Sequence, residues 1–245
     1  MRYLGGKQRI AKHIANYINQ HNPNITTYYE PFCGMCSVGD LIKADFKYYS
    51  DAFKPIITLQ NALLYYGWVP PDTVTEEEYL ACKELNDPND PLTAFIGFGC
   101  SFGGKYFGGY AKQSGKNFAE TAKKKLLKIT EKRKFPHNGH IYFTHCDYDD
   151  IYCNNKDKRV IYCDPPYKGT TSYKNDTKLN YEHFYRWCER ASMYNNVYIS
   201  EYHMPAGRFS CVLEINHKTT LAKTNQETIH RVEKLWTPKE QWQQI

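Results

Sequence analysis

The sequence alternates between stretches typical of β-strands and stretches typical of α-helices, and this order limits the possible folds more than any other feature. Seven stretches rich in β-branched and aromatic residues are predicted as strands: 26–32, 46–52, 140–147, 159–167, 196–202, 211–215 and 227–236. Three stretches with helical periodicity lie among them: 8–20, 54–66 and 181–194. This alternation predicts an α/β fold whose central sheet is at least partly parallel.

The alternation stops between about residues 67 and 138. Four prolines interrupt the first part of this stretch, between residues 67 and 96: Pro70, Pro71, Pro88 and Pro91. A glycine-rich aromatic loop at 97–110 and a basic helix at 117–134 follow. We therefore predict a discontinuous catalytic domain made of residues 1–66 and 139–245, with residues 67–138 forming an inserted helical subdomain.

The composition is that of a soluble globular protein. The chain has 245 residues, of which 41% are hydrophobic and 24% charged, which suits one large domain with an insert. No apolar run approaches the ~18–20 residues of a membrane span. The first ten residues also lack the apolar core of a secretory signal. We expect a cytoplasmic protein that has no membrane partner and no obligatory protein partner.

The nine cysteines do not indicate a disulfide framework or a metal site. Their number is odd, and Cys33 and Cys36 form the only CxxC pair. A structural zinc site would need a second pair at a comparable spacing. We expect reduced, mostly buried thiols and no metal.

The positive charge is concentrated in the predicted insert. The net charge is +6, and residues 101–138 contain ten Lys/Arg and two Glu, whereas the rest of the chain contains 22 basic and 24 acidic residues. Because the stretch also carries aromatic residues among glycines, it predicts a nucleic-acid surface. The candidate DNA-binding residues are Phe102, Lys105, Tyr106, Phe107, Lys112, Lys123 and Lys124. Two alternatives stay open: a solvated helical face, and Phe102 and Phe107 as core residues of the insert.

A turn of small residues follows the first predicted strand. Residues 32–39 (FCGMCSVG) would let backbone N–H groups approach a ligand. Asp51 follows Glu30 by 21 residues and ends the next strand. An acid near this spacing commonly accepts hydrogen bonds from an adenosine ribose. The alternative for Asp51 is a helix N-cap beside Pro55.

The most specific motif is Asp164-Pro165-Pro166-Tyr167, at the end of a predicted strand. The two prolines fix an extended chain and thereby hold the Asp164 carboxylate and the Pro165 carbonyl as a pair of acceptors. The Tyr167 ring follows as a stacking surface. Two acceptors and one aromatic face match the exocyclic amino group of a planar base. The alternative is a loop that only ends a strand.

These motifs resemble those of the Dam-like, D12-class (alpha group) adenine-specific DNA methyltransferases. The resemblance rests on five segments in the family's order: Tyr3–Lys7, Glu30–Gly34, Ser50-Asp51, Cys146–Tyr148 and Asp164–Tyr167. The segment 199–202 (ISEY) resembles a later strand that lines the family's pocket. The resemblance implies a Rossmann-like S-adenosylmethionine-dependent methyltransferase sheet with an inserted target-recognition subdomain.

The resemblance also implies roles for individual residues. The catalytic positions are Asp164, Pro165, Pro166 and Tyr167. The positions that bind S-adenosylmethionine are Tyr3, Gly6, Lys7, Glu30, Phe32, Gly34, Asp51, Asp147 and Asp164. Arg2 stands at a basic DNA contact of the family.

The sequence departs from the family's pattern in three places. Cys36 replaces the second glycine of the turn, which predicts a differently bent loop. Glu201 stands where the family often has Asn. The segment 100–109 lacks the Asn-Gly…Arg pattern of the members that recognise GATC, so GATC is not the predicted target.

The expected activity is methyl transfer from S-adenosylmethionine to N6 of an adenine flipped out of double-stranded DNA, without a metal. Three alternatives remain: an N4-cytosine methyltransferase, a catalytically silent DNA-binding relative, and a methyltransferase acting on RNA or on a protein glutamine. The glutamine enzymes prefer Asn at position 164, where this chain has Asp.

Overall fold

The computed structural model describes residues 6–135, 139–151, 158–168, 179–219 and 229–242. Its centre is a seven-stranded sheet in the order β3-β2-β1-β4-β5-β7-β6. The strands are β1 Thr27–Glu30, β2 Phe46–Asp51, β3 His140–His145, β4 Val160–Cys163, β5 Asn196–Ser200, β6 Phe209–Thr219 and β7 Ile229–Pro238. Strands β1 to β5 are parallel to one another, and β7 runs antiparallel between β5 and β6. All seven predicted strands and the α/β fold class are confirmed.

Seven helices accompany the sheet in the described residues. They are α1 Ala11–His21, α2 Lys54–Leu64, α3 Glu76–Leu85, α4 Pro91–Gly99, α5 Phe118–Arg133, α6 Tyr181–Ser192 and α7 Lys239–Trp242. Helix α1 buries Ile14, Ala15 and Ile18, as its periodicity predicts. Among these helices, none combines the length and the apolar character needed to cross a bilayer.

Helix α4 is absent from the sequence prediction. The sequence pattern indicates an interruption at Pro91, but this residue occupies the first turn of α4, where a missing N–H costs nothing. The Asp90 side chain caps this helix by accepting hydrogen bonds from the N–H groups of Leu92 and Thr93 (3.1 and 2.9 Å). The helix from Thr93 to Phe98 is buried all round. It therefore has no amphipathic period that could reveal it.

Helices α3, α4 and α5 share one hydrophobic core with the sheet and α2. Phe98 of α4 packs edge-on against Phe53, just before α2, with ring centroids 5.9 Å apart. Phe95 contacts Trp68 in the same manner. The described residues of the insert, 67–135, thus share a core with α2, and their role as a target-recognition subdomain stays a prediction.

The order of the parallel strands identifies the edge at which a ligand site is expected. Strand β1 lies between β2 and β4, so the chain leaves β1 toward one side and returns on the other. In open parallel sheets, ligands bind beyond the carboxyl ends of the strands at such a switch point. The glycine turn follows β1, Asp51 ends β2 and Asp164 follows β4, so all three lie at this edge.

The described cysteines support the expectation of buried thiols. Eight of the nine are described, and all eight are free; five of them are buried. Burial raises the pKa of the Cys33 thiol well above its usual value.

Candidate active site

The turn after β1 (Cys33–Gly39) is held in a backbone conformation that favours glycine. Gly34 and Cys36 have φ angles of 45° and 56°, in the left-handed region. Cys36 stands where the family has a glycine, and it adopts a glycine-type conformation. The N–H of Cys33 donates to the carbonyl of Ser50 (2.9 Å), which fastens the turn to the end of β2.

The Glu30 side chain stabilises this turn by a hydrogen bond to its last residue, Gly39. Its buried Oε2 accepts hydrogen bonds from the backbone N–H of Gly39 and from the Tyr28 hydroxyl, both at 3.0 Å. Burial raises the pKa of the Glu30 carboxyl well above its usual value. These contacts support a role in shaping the turn, and the direct contact of Glu30 with a cofactor stays a prediction.

Replacing Gly39 with alanine is expected to destabilise the protein by at least ~2 kcal/mol, because the new methyl group would overlap with Glu30 Oε2 and the Tyr49 ring. Both groups are buried and cannot move aside cheaply. Urea unfolding measures the change. Gly207→Ala is the matched control, since nothing lies within 4 Å of its added methyl group. Equal stabilities of the two variants would contradict the packing described here.

Asp51 is not the N-cap of α2, which is Phe53, and it instead connects the glycine turn to the residue before this helix. Its Oδ2 accepts the N–H of Gly34 (3.0 Å), and its Oδ1 accepts the N–H of Phe53 at the start of α2 (2.9 Å). The carboxylate therefore joins the glycine turn to α2. The side chain thus lies at the end of β2 beside the glycine turn, and its contact with a ribose hydroxyl stays a prediction.

Arg133 is part of this site, although the sequence placed it in the basic surface. The guanidinium, which ends α5, is buried and forms a bidentate pair with Asp40 (2.7 and 3.0 Å). It also donates to Gln60 Oε1 (2.7 Å) and to the carbonyl of Met35 (3.2 Å). Gln60 in turn donates to the carbonyl of Gly34 (3.2 Å). Arg133 of α5 and Gln60 of α2 thus stabilise the glycine turn by hydrogen bonds to its carbonyl groups.

Asp164 follows β4, and Lys7 accompanies it. The Lys7 ammonium lies 2.7 Å from Asp164 Oδ1, and both side chains are largely buried. Burial raises the pKa of the Asp164 carboxyl, and the Lys7 ammonium opposes that rise. Lys7 and Asp164 are 157 positions apart in the sequence, and the structure brings them into direct contact; their contact with a cofactor stays a prediction.

The Tyr167 ring is oriented by three neighbours. Its hydroxyl donates a hydrogen bond to Glu233 Oε1. The Lys7 ammonium lies 4.4 Å from the centre of the ring, and the Tyr202 ring meets it edge-on at 4.7 Å. Burial, together with the Asp164 carboxylate, raises the pKa of Tyr167 well above its usual value, so the hydroxyl remains a donor.

Glu201, the second departure from the family pattern, fixes the chain beyond Tyr167. Its buried carboxylate accepts the backbone N–H groups of Lys168 (2.8 Å) and Tyr202 (2.5 Å). The Trp236 indole donates to the carbonyl of Glu201 (2.9 Å), which ties this segment to β7. Pro166 is anchored separately, since its carbonyl accepts the Tyr181 hydroxyl (2.7 Å).

The remaining predicted cofactor residues border the same edge. Phe32 is half-buried and stacks on the Tyr148 ring, with centroids 5.5 Å apart. Asp147 is exposed and caps the short turn Tyr148–Asp150. Gly6 is exposed next to buried Lys7. Tyr3 and Arg2 lie outside the described residues.

The aromatic residues predicted to bind DNA divide into two groups. Phe102 is 75% exposed in the loop 101–110. Tyr106 and Phe107 instead pack on the core, where Tyr106 contacts the Phe53 and Phe98 rings and Phe107 contacts the Tyr79 ring. The core alternative therefore holds for Phe107 and not for Phe102, and DNA contacts of these residues stay predictions.

Several lysines predicted to bind DNA have acidic partners. Lys123 pairs with Asp72 (2.9 Å), and Lys124 pairs with Glu120 one turn earlier (2.5 Å). Lys112 lies 3.7 Å from Glu76. Lys105 is half-buried. Composition alone could not reveal these pairs, because their acidic partners include Asp72 and Glu76, outside the counted stretch.

Comparison with known proteins gives one family. Residues 3–86 and 100–207 match the sequence model of the family described as D12 class N6 adenine-specific DNA methyltransferase. The match covers well over half of the chain and includes the glycine turn, Asp51 and the segment Asp164–Tyr167. The unmatched residues 87–99 contain α4. No individual curated protein matches the chain.

Proposed function

Because the chain belongs to the D12 class N6 adenine-specific DNA methyltransferases, we propose that it transfers a methyl group from S-adenosylmethionine to N6 of an adenine flipped out of double-stranded DNA. The main structural support for this proposal is the position of Asp164. Its carboxylate lies beyond β4 at the switch point of the sheet, beside Lys7 and Tyr167.

The residues around the switch point fit S-adenosylmethionine. The glycine turn has the backbone shape that allows close approach of a ligand, and the Asp51 carboxylate lies beside it at the end of β2. The cofactor, when bound, supplies a methyl group already activated on a cationic sulfonium. The protein's task is therefore mainly alignment, and no metal takes part in the proposal.

The segment Asp164–Tyr167 fits the amino group of an adenine. Asp164 and the Pro165 carbonyl would accept its two N–H groups, which would turn the nitrogen lone pair out of conjugation and toward the methyl group. As the N–CH3 bond forms and the S–CH3 bond breaks, the nitrogen would release one proton to solvent. Lys7 binds one oxygen of Asp164 and leaves lone pairs for the base. The Tyr167 ring provides a stacking contact of ~1–3 kcal/mol, which offsets part of the cost of base flipping.

The test is incubation with radiolabelled S-adenosylmethionine and unmethylated double-stranded DNA, followed by mass spectrometry of the nucleosides. We expect N6-methyladenine. N4-methylcytosine would support the cytosine alternative, and an absence of label in DNA would support the silent relative. Sequencing of methylated DNA from a methylation-free host then identifies the recognition sequence.

We further propose that an exposed face of α5 binds the phosphate backbone. Lys125 and Lys128 are exposed and lie one turn apart. Replacing both with Gln is expected to make the slope of log affinity against log salt less steep by about 2 units. Each lost phosphate contact leaves about one more counterion on the DNA when the protein binds. Fluorescence anisotropy at several salt concentrations measures the slope.

The matched variant replaces Lys123 and Lys124 with Gln. Because these two lysines already pair with Asp72 and Glu120, they would have to give up those contacts to reach phosphate. We expect a smaller decrease of the slope, of less than ~1 unit. If both double variants change the slope equally, the ion pairs do not direct the phosphate contacts.

A further inference from the structure

Glu233 is a buried carboxylate at the site that neither the sequence analysis nor the family match assigns. It lies on β7, beyond the last residue that the family model matches. The residue is 4% exposed, and its side chain accepts the Tyr167 hydroxyl. Its Oε1 lies 3.9 Å from the Lys7 ammonium. The antiparallel strand β7 therefore brings a second carboxylate beside Asp164.

Among the residues that the structure describes, this arrangement places more negative than positive charge around Lys7. Within the described part of the chain, the Lys7 ammonium is the positively charged group within 4 Å of these carboxylates. It lies 2.7 Å from Asp164 and 3.9 Å from Glu233. Two negative charges thus face one positive charge. Buried charge without a partner is costly, and a cationic ligand would relieve that cost.

The proposed reaction supplies such a cation. S-adenosylmethionine carries a positive charge on its sulfonium sulfur, whereas S-adenosylhomocysteine, which remains after methyl transfer, has a neutral sulfur. A site with one excess negative charge binds the cationic S-adenosylmethionine more tightly than the neutral S-adenosylhomocysteine. Charge selectivity of this kind would assist both cofactor binding and release of the used cofactor.

We infer that Glu233 is a specificity-determining residue of this site: its carboxylate makes the site prefer the cationic cofactor over the neutral product, while its contact with the hydroxyl orients the Tyr167 ring. The inference rests on the proposed function, because it requires S-adenosylmethionine as the cofactor. It assigns Glu233 a task that differs from that of Asp164, which holds the target amino group.

Glu233→Gln is the main test, because it preserves the size of the side chain and an acceptor for Tyr167 but removes the charge. Calorimetry gives the dissociation constants of S-adenosylmethionine and S-adenosylhomocysteine. We expect the first to weaken by about tenfold and the second by less than about twofold, as expected for loss of one opposite charge in a buried site. A residue that only supports the fold would weaken both equally, and that result would overturn the inference.

Two further variants separate the charge from the contact with Tyr167. Glu233→Asp keeps the charge and shortens the side chain, so it should preserve the ratio of the two affinities while lowering turnover. Glu214→Gln is the matched control, because this exposed glutamate on neighbouring β6 pairs with Lys234 at the surface. It should change neither affinity. If Glu233→Asp loses the preference for S-adenosylmethionine over S-adenosylhomocysteine as fully as Glu233→Gln does, the negative charge is not the cause of that preference.

Lys7→Met tests the same inference by removing a positive charge instead of a negative one. This variant replaces Glu233→Gln as the test if Glu233→Gln does not fold. Removal of the cation increases the negative excess, so the preference for S-adenosylmethionine should rise. An unchanged or lower preference would overturn the inference. The wild-type protein separates the two proposals: if it transfers no labelled methyl group, the proposed function fails. If it transfers methyl groups but Glu233→Gln keeps the wild-type ratio, only the role of Glu233 fails.

Discussion

Replacing Asp164 with alanine is expected to lower turnover by at least ~10³-fold, comparable to the loss of a preorganised electrostatic group in other enzymes. The carboxylate is the acceptor that the turn after β4 presents beside Lys7 and Tyr167. Without it, the target amino group loses one of its two acceptors, and the Lys7 ammonium loses its closest partner.

Single-turnover methyl transfer with saturating DNA and cofactor measures this effect. Urea unfolding of the same variant shows whether the fold is kept, because the change leaves the buried Lys7 ammonium with the Glu233 carboxylate 3.9 Å away. Asp149→Ala is the matched control, since it removes an exposed carboxylate beyond β3. It should retain nearly full turnover. If Asp164→Ala keeps more than a tenth of wild-type turnover, Asp164 has no catalytic role.

The sequence predicted the residues at the ends of parallel strands, for a physical reason. Asp51 ends one recognisable strand and Asp164 follows another, and the carboxyl ends of parallel strands meet at one edge of the sheet. Glu233 lies within an antiparallel strand. Its alternating pattern predicts that some side chains are buried, but not which groups they meet.

The buried cation and the apolar helix of the insert could not be predicted in the same way. Arg133 sits in a run of lysines, and its burial depends on Asp40, which is 93 positions away. Helix α4 is apolar on all sides and begins at Pro91, so neither periodicity nor a polar face indicates it. Local patterns determine the elements, whereas partners distant in sequence determine these contacts.

The pair of Arg133 and Asp40 is expected to contribute more to stability than any ion pair at the surface. The Arg133 side chain is 4% exposed and that of Asp40 is 24% exposed. Asp40→Ala should cost ~3 kcal/mol, because it leaves a buried guanidinium without its carboxylate. Arg133→Met should cost less, about 1–2 kcal/mol, because it replaces the charge by an apolar chain and leaves a partly exposed carboxylate.

Urea unfolding of both single variants and of the double variant gives the coupling energy. We expect the double variant to be more stable than the sum of the single changes predicts, by ~1–2 kcal/mol. Arg208→Met is the control with similar bond geometry, since Arg208 forms a bidentate contact with Glu189 (2.7 and 2.6 Å) in a more exposed place. It should cost at most ~1 kcal/mol.

The same variants distinguish a local ion pair from a link to the cofactor site. Arg133 also binds the carbonyl of Met35 and, through Gln60, the carbonyl of Gly34. Loss of the guanidinium therefore releases the glycine turn as well as α5, and Arg133→Met should weaken S-adenosylmethionine binding by at least ~3-fold, about the worth of one hydrogen bond. Unchanged cofactor affinity in a destabilised Arg133→Met would mean that Arg133 stabilises α5 without shaping the turn.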